Sequence, residues 1–200
     1  MQRVLLWIDR LNAFIGRAFG WSILALTLVV CYEVFARYLF GAPTKWAFDA
    51  SYMLYGALFM MAGAYTLSRN AHVRGDFLYR TWRPRRQAWM DLILYLLFFF
   101  PGIIALIVAG AIEAENTWML DERTNSPATV PLFTFKVLIP IVGVLMLLQG
   151  IVEFVRCLIC IRTGTWPQRL RDAEETEKLL LEGASAGIDT TGVGPKGSSR

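Results

Sequence analysis

The chain has 200 residues, 56% of them apolar and only 18% charged, with a formal net charge of +4. A soluble domain carries about 25% charged residues, so an ordinary soluble globule is excluded. The apolar residues come in blocks of about 20, the length that crosses a bilayer. Basic residues flank those blocks, which suits an anionic membrane surface and argues against nucleic-acid binding.

In residues 2–17, Val4, Leu5, Ile8, Leu11 and Ile15 share one helical face, with Arg3, Arg10 and Arg17 elsewhere. The pattern predicts an amphipathic helix over residues 1–17 lying in the membrane interface; a plain extension of the first span is the other reading. The segment is charged throughout and has no uninterrupted apolar core, so no cleavable signal peptide is expected.

The first span is expected at about 18–40 and the second at about 46–68, joined by the Gly41-Ala42-Pro43-Thr44 turn. The connector 69–89 mixes arginines with Phe77, Leu78, Tyr79, Trp82 and Trp89, a composition for the headgroup layer, with an interfacial helix broken near Pro84. The third span, about 90–112, should bend at Pro101-Gly102, since proline removes a backbone donor and clashes with the preceding turn. The fourth, about 132–161, is longer than a straight crossing needs and should tilt or project. Residues 18–166 then form a four-helix transmembrane domain. Residues 167–200 turn charged and then Gly, Ser and Thr-rich, a disordered tail by composition. The expected fold is an all-α membrane protein with four transmembrane helices and interfacial amphipathic helices.

Lys and Arg in short loops set orientation. Arg3, Arg10 and Arg17, then Arg69, Arg74, Arg80, Arg83, Arg85 and Arg86, then Arg156, Arg162, Arg169 and Arg171 fall on one side of a four-span topology. The opposite loop carries Glu113, Glu115, Asp121 and Glu122 against Arg123. Both termini are therefore expected in the cytoplasm.

Charge inside a bilayer raises a functional hypothesis. Glu33 and Arg37 lie four apart on one face of the first span, and Asp49 opens the second, just across the turn. An Arg37–Glu33 or an Arg37–Asp49 pair would neutralise them, as a structural clamp, a partner contact, or part of an ion or substrate path. The single histidine, His72, excludes a bis-histidine haem within the chain and argues against zinc, leaving a hydrogen-bonding role in the connector. Cys157-Leu158-Ile159-Cys160 has redox-motif spacing but sits in an apolar helix, where it reads as two small apolar residues. No phosphate loop or nucleophile–base pair stands out, and no catalytic, cofactor or metal residue is expected.

The stretch Arg37-Tyr38-Leu39-Phe40-Gly41-Ala42-Pro43 followed by Trp46-Ala47-Phe48-Asp49, with His72-Val73-Arg74-Gly75-Asp76 after the second span, resembles the small membrane subunit of tripartite ATP-independent periplasmic (TRAP) transporters. Ser126, Pro131, Ile139-Pro140-Ile141-Val142-Gly143 and Leu148-Gln149 fit the same pattern, and the resemblance covers roughly residues 5–160. That family commonly has Glu where this chain has Asp49, so the charge is kept and its reach shortened. The resemblance implies a bacterial inner-membrane subunit beside a large membrane subunit that moves organic anions, usually carboxylates, by an elevator-like motion on a sodium gradient. It also implies a periplasmic binding protein that delivers the solute. The small subunit would extend the fixed scaffold and offer a docking surface. Glu33, Arg37, Trp46, Asp49, His72, Arg74 and Asp76 become its structural or interaction residues. A four-helix anchor for a redox enzyme and a small homo-oligomeric exporter are the competing readings.

Overall fold

The computed structural model describes residues 2–69, 79 and 81–167. His72, Arg74 and Asp76, most of the connector, and the tail after Pro167 lie outside them. Among the described residues the chain is helical throughout, and its only β-type pairing is an isolated antiparallel bridge between Arg123 and Pro131.

Helix α1 (Gln2–Gly20) and helix α2 (Ser22–Leu39) are joined through a single turn residue, Trp21. Helix α2 ends where Gly41 takes φ +61°, a left-handed value that side chains avoid, and the Ala42 N–H returns to the Ala36 carbonyl at 3.0 Å. Helix α3 (Ala47–Ser68) follows. Helix α4 (Pro84–Leu94) begins with proline in its first turn, where the missing N–H costs nothing. It runs through a π-helical turn, Tyr95–Phe99, into helix α5 (Phe100–Met119). The Phe100 N–H bonds the Tyr95 carbonyl, five residues back. This widened turn lies directly before Pro101, so the irregularity expected at Pro101-Gly102 falls just ahead of it. After the short helix α6 (Phe133–Lys136), helix α7 (Leu138–Thr163) ends at Gly164, whose φ is +80°.

Three helical stretches are long and apolar enough to cross a membrane: Gln2–Leu39, Pro84–Met119 and Phe133–Thr163. Helix α3 has the length, 22 residues or about 33 Å, but Tyr52, Tyr55, Gly56, Tyr65 and Thr66 dilute its hydropathy. The expected second span thus has the length of a crossing but falls outside these three clear spans.

Helix α7 is the hub, packing against α1, α3, α4 and α5. Small residues let the helices close. A Cβ on Gly143 would sit 2.5 Å from Ile107, one on Gly110 2.7 Å from Ile139, and one on Gly16 2.5 Å from Tyr65. Around the α4–α7 contact, Tyr95, Phe99, Phe100 and Phe154 meet edge to face with centroids 5.2–5.8 Å apart. Buried Cys157 and Cys160 belong to this apolar cluster, where they fill space beside Ala88.

Candidate functional site: two polar knots on an apolar scaffold

The first knot ties α1 to α7. Asp9, Asn12, Gln149, Glu153 and Arg156 are all essentially inaccessible. Arg156 places Nη2 2.5 Å from Asp9 Oδ2 and Nη1 2.6 Å from Glu153 Oε1. Gln149 Nε2 donates to Asp9 Oδ1 at 2.8 Å, and Asn12 Nδ2 donates to Gln149 Oε1 at 2.8 Å. Positions 149, 153 and 156 share one face of α7, and 9 and 12 share one face of α1, so two helices bring five polar groups together. Burying the Arg156 charge is tolerable only because two carboxylates meet it. Among the described residues nothing hydrogen-bonds to the buried Asn12 Oδ1 or Arg156 Nε.

This arrangement sets which face of the first helix packs inside the protein. Of Val4, Leu5, Ile8, Leu11 and Ile15, only Leu5 is buried; the buried face runs Leu5, Asp9, Asn12 and Ala13. The ion pair selects that face over the apolar stripe. Val4, Trp7 and Phe14 are left exposed.

The second knot is at the other end of the helices. Asp49, in the first turn of α3, is 3% exposed. Its Oδ2 accepts from Thr124 Oγ1 at 3.1 Å and from the Ser126 hydroxyl. These bonds fasten the loop between α5 and α6 onto α3. The same loop is braced by Lys136, whose Nζ lies 2.7 Å from Glu113 and 2.6 Å from Glu122. Donation by Lys136, and then by the Thr117 hydroxyl, holds the Glu122 carboxyl below the usual glutamate range. Asp121 and Thr129 take positive φ within this loop.

The remaining expected residues separate from Asp49. Arg37 pairs with Glu33, through Nε at 2.9 Å and Nη2 at 2.5 Å. The other Glu33 oxygen accepts from the Thr44 N–H at 3.0 Å and from the Thr44 hydroxyl. Of the two pairings open in the sequence, Arg37–Glu33 is the one formed, and it clamps the turn after α2. Trp46 stacks on Tyr32 with centroids 6.1 Å apart, closing the same turn. Asp49 is satisfied by hydroxyls, consistent with its short reach.

Two features escaped the sequence reading. Arg156 counted there only as a flanking charge, yet it is the partner of Glu153. The signal was the 149, 153, 156 spacing within an apolar helix. Asp9 gave none, since one acid among arginines looks like an exposed face. Among the described residues no group of His, Cys, Asp and Glu could hold a metal ion.

The polar groups thus tie helices and loops to one another, and what they hold outward is apolar. Ile23, Leu24, Leu28, Val34 and Phe35 of α2 are all exposed, and none of that stretch's most apolar window is buried. Such a surface needs lipid or partner helices around it. No curated protein matches the chain. Residues 26–160, more than half of it, match the family described as tripartite ATP-independent periplasmic transporters, DctQ component. The chain belongs to that family and is a membrane component of a tripartite transport system.

Proposed function

We propose that this chain is the small scaffold subunit of a sodium-driven, binding-protein-dependent transporter of organic anions, carboxylates foremost. It crosses the bacterial inner membrane four times, α3 included, with both termini in the cytoplasm. It holds a large elevator subunit in place and helps dock the periplasmic binding protein. The observation that carries this reading is the pairing of the charges carried by the helices. Asp9, Glu153 and Arg156 meet one another, and Glu33 meets Arg37, while the outward faces are apolar. A solute path needs polar groups facing a cavity; a stator needs rigidity and an apolar flank. The arginines and aromatic residues of α1 and of the turn after it, with Trp7 and Trp21 exposed, suit anchoring at a fixed depth.

Reconstitution tests it. Liposomes holding the large subunit, this chain and the binding protein should accumulate a carboxylate when sodium is high outside. Omitting this chain should abolish uptake. Uptake by this chain alone would replace the scaffold reading with that of a self-sufficient carrier. A cysteine placed at Asp121 should react with an impermeant reagent added to intact cells, and one placed at Arg83 only after the inner membrane is opened.

A further inference from the structure

We infer that α3 docks through an aromatic stripe onto a helix of the large membrane subunit, which supplies the hydrogen-bond partner of the Tyr55 hydroxyl. This rests on the proposed four-span, two-subunit reading and says which face meets the partner.

Phe48, Tyr52, Tyr55 and Phe59 follow one another at spacings of four, three and four, so their side chains share one face of α3. Helices α1, α2 and α7 cover the other sides of α3. The four residues are 77%, 55%, 59% and 70% exposed. They form a braced ridge, with Tyr55 stacked on Phe59 at 6.4 Å and Tyr52 against Phe135 at 5.5 Å.

The hydroxyl of Tyr55 decides what covers the ridge. Tyr55 lies eight residues into α3, about 12 Å along its axis. Helix α3 is about as long as the hydrocarbon layer is thick, so this hydroxyl sits inside that layer, too deep to reach the headgroups. Among the described residues nothing hydrogen-bonds to it, whereas the hydroxyls of Thr27, Thr66 and Thr117 return to their own helices. A hydroxyl facing lipid tails would be left unsatisfied, a costly arrangement. The outward face of α7 shows the contrast: Ile141, Val144, Leu148, Ile151 and Leu158 are exposed and offer lipid no polar atom. The polarity that keeps α3 from being apolar enough to stand among the clear spans is in part the polarity of this ridge. The family is one component of a tripartite system, so another membrane subunit is the occupant whose side chains or backbone can complete the bond.

The test uses the complete transporter in native membranes. A photoreactive benzoylphenylalanine replaces Phe59 in one variant and Leu148 in another. The expected result is an adduct to the large subunit from position 59 and none from 148. In mild detergent, Tyr55→Phe should speed dissociation of the subunits about threefold, the size of a typical interhelical hydrogen bond in a membrane. Adducts from 148 and not 59, or from 59 only to lipid or to a second copy of this chain, overturn the docking face. Unchanged dissociation of Tyr55→Phe overturns the hydrogen bond. If the unaltered chain never co-purifies with the large subunit, the proposed function fails and this surface with it. Co-purification with adducts only from 148 overturns this surface alone.

Discussion

The two polar knots use similar residues under different conditions. Asp9, Glu153 and Arg156 lie fully inside the helix packing, whereas the half-buried Lys136 meets two carboxylates that lie in the open, with 54% of the Glu113 side chain and 44% of the Glu122 side chain accessible. Coulomb attraction is screened in the exposed knot and strong in the buried one, where desolvation is also heavy. The buried knot therefore adds little net stability while intact and costs much when half broken. It fixes which face of α1 meets α7. The exposed knot restrains a loop and tolerates change.

The largest effect should come from breaking the buried knot on one side. Arg156→Met strands two carboxylates, and losing one partner of a buried pair costs about 3–5 kcal/mol. Expression and thermal stability in detergent should collapse. Adding Asp9→Asn and Glu153→Gln removes all three charges and keeps amides near Gln149, so most of the stability should return. Fluorescence-detected size-exclusion profiles would compare the two variants. A triple variant no better than Arg156→Met would show that the charges themselves are required.

Asp49 separates location from burial. It sits at the exposed knot's end of the molecule but is as inaccessible as the inner charges. Asp49→Ala unties Ser126 and Thr124 from α3 and loses hydrogen bonds to a carboxylate, worth about 1.5–3 kcal/mol. Limited proteolysis should then cut within residues 120–132 while the helices survive. If Asp49→Ala proves as harmless as a surface change, burial is not what divides the two knots.

Rigidity behind the buried knot can be probed next to it. A Cβ on Gly150 would lie 2.2 Å from Phe99 Cε1. Gly150→Ala must push that ring out of the edge-to-face row, an overpacking cost of about 1–3 kcal/mol. A modest fall in melting temperature with an unchanged oligomeric profile is the expected outcome.

How far the sequence carried follows the same division. Spans were legible because hydrocarbon thickness imposes a length on apolar runs, and α2, α5 and α7 show it. Local turn chemistry was legible too: Gly41 closes α2, and Glu33 and Arg37 pair at helical spacing. The pairing of Asp9 with Arg156 was not, because residues 147 positions apart meet only once two helices pack. The same limit hid the fastening of Asp49 by Thr124 and Ser126, since serine and threonine in a loop look like any turn. At α1 the apolar stripe said nothing of the face that packs on α7, which is set by Asp9 meeting the buried Arg156.

The smallest effect belongs to the exposed knot, and its sign follows from protonation. Lys136 and Thr117 lower the Glu122 pKa from its ordinary value of 4.5 in the folded protein. The unfolded chain therefore binds that proton more readily, and the contribution of Glu122 is complete above about pH 4.5. It is lost as pH falls through the lower, folded value. Glu122→Gln should leave thermal stability nearly unchanged at pH 7, since the ion pair is solvent-screened. It should also flatten the acid limb of the stability curve, because the titrating group is gone. An equally steep acid limb in Glu122→Gln would assign that limb to other carboxylates.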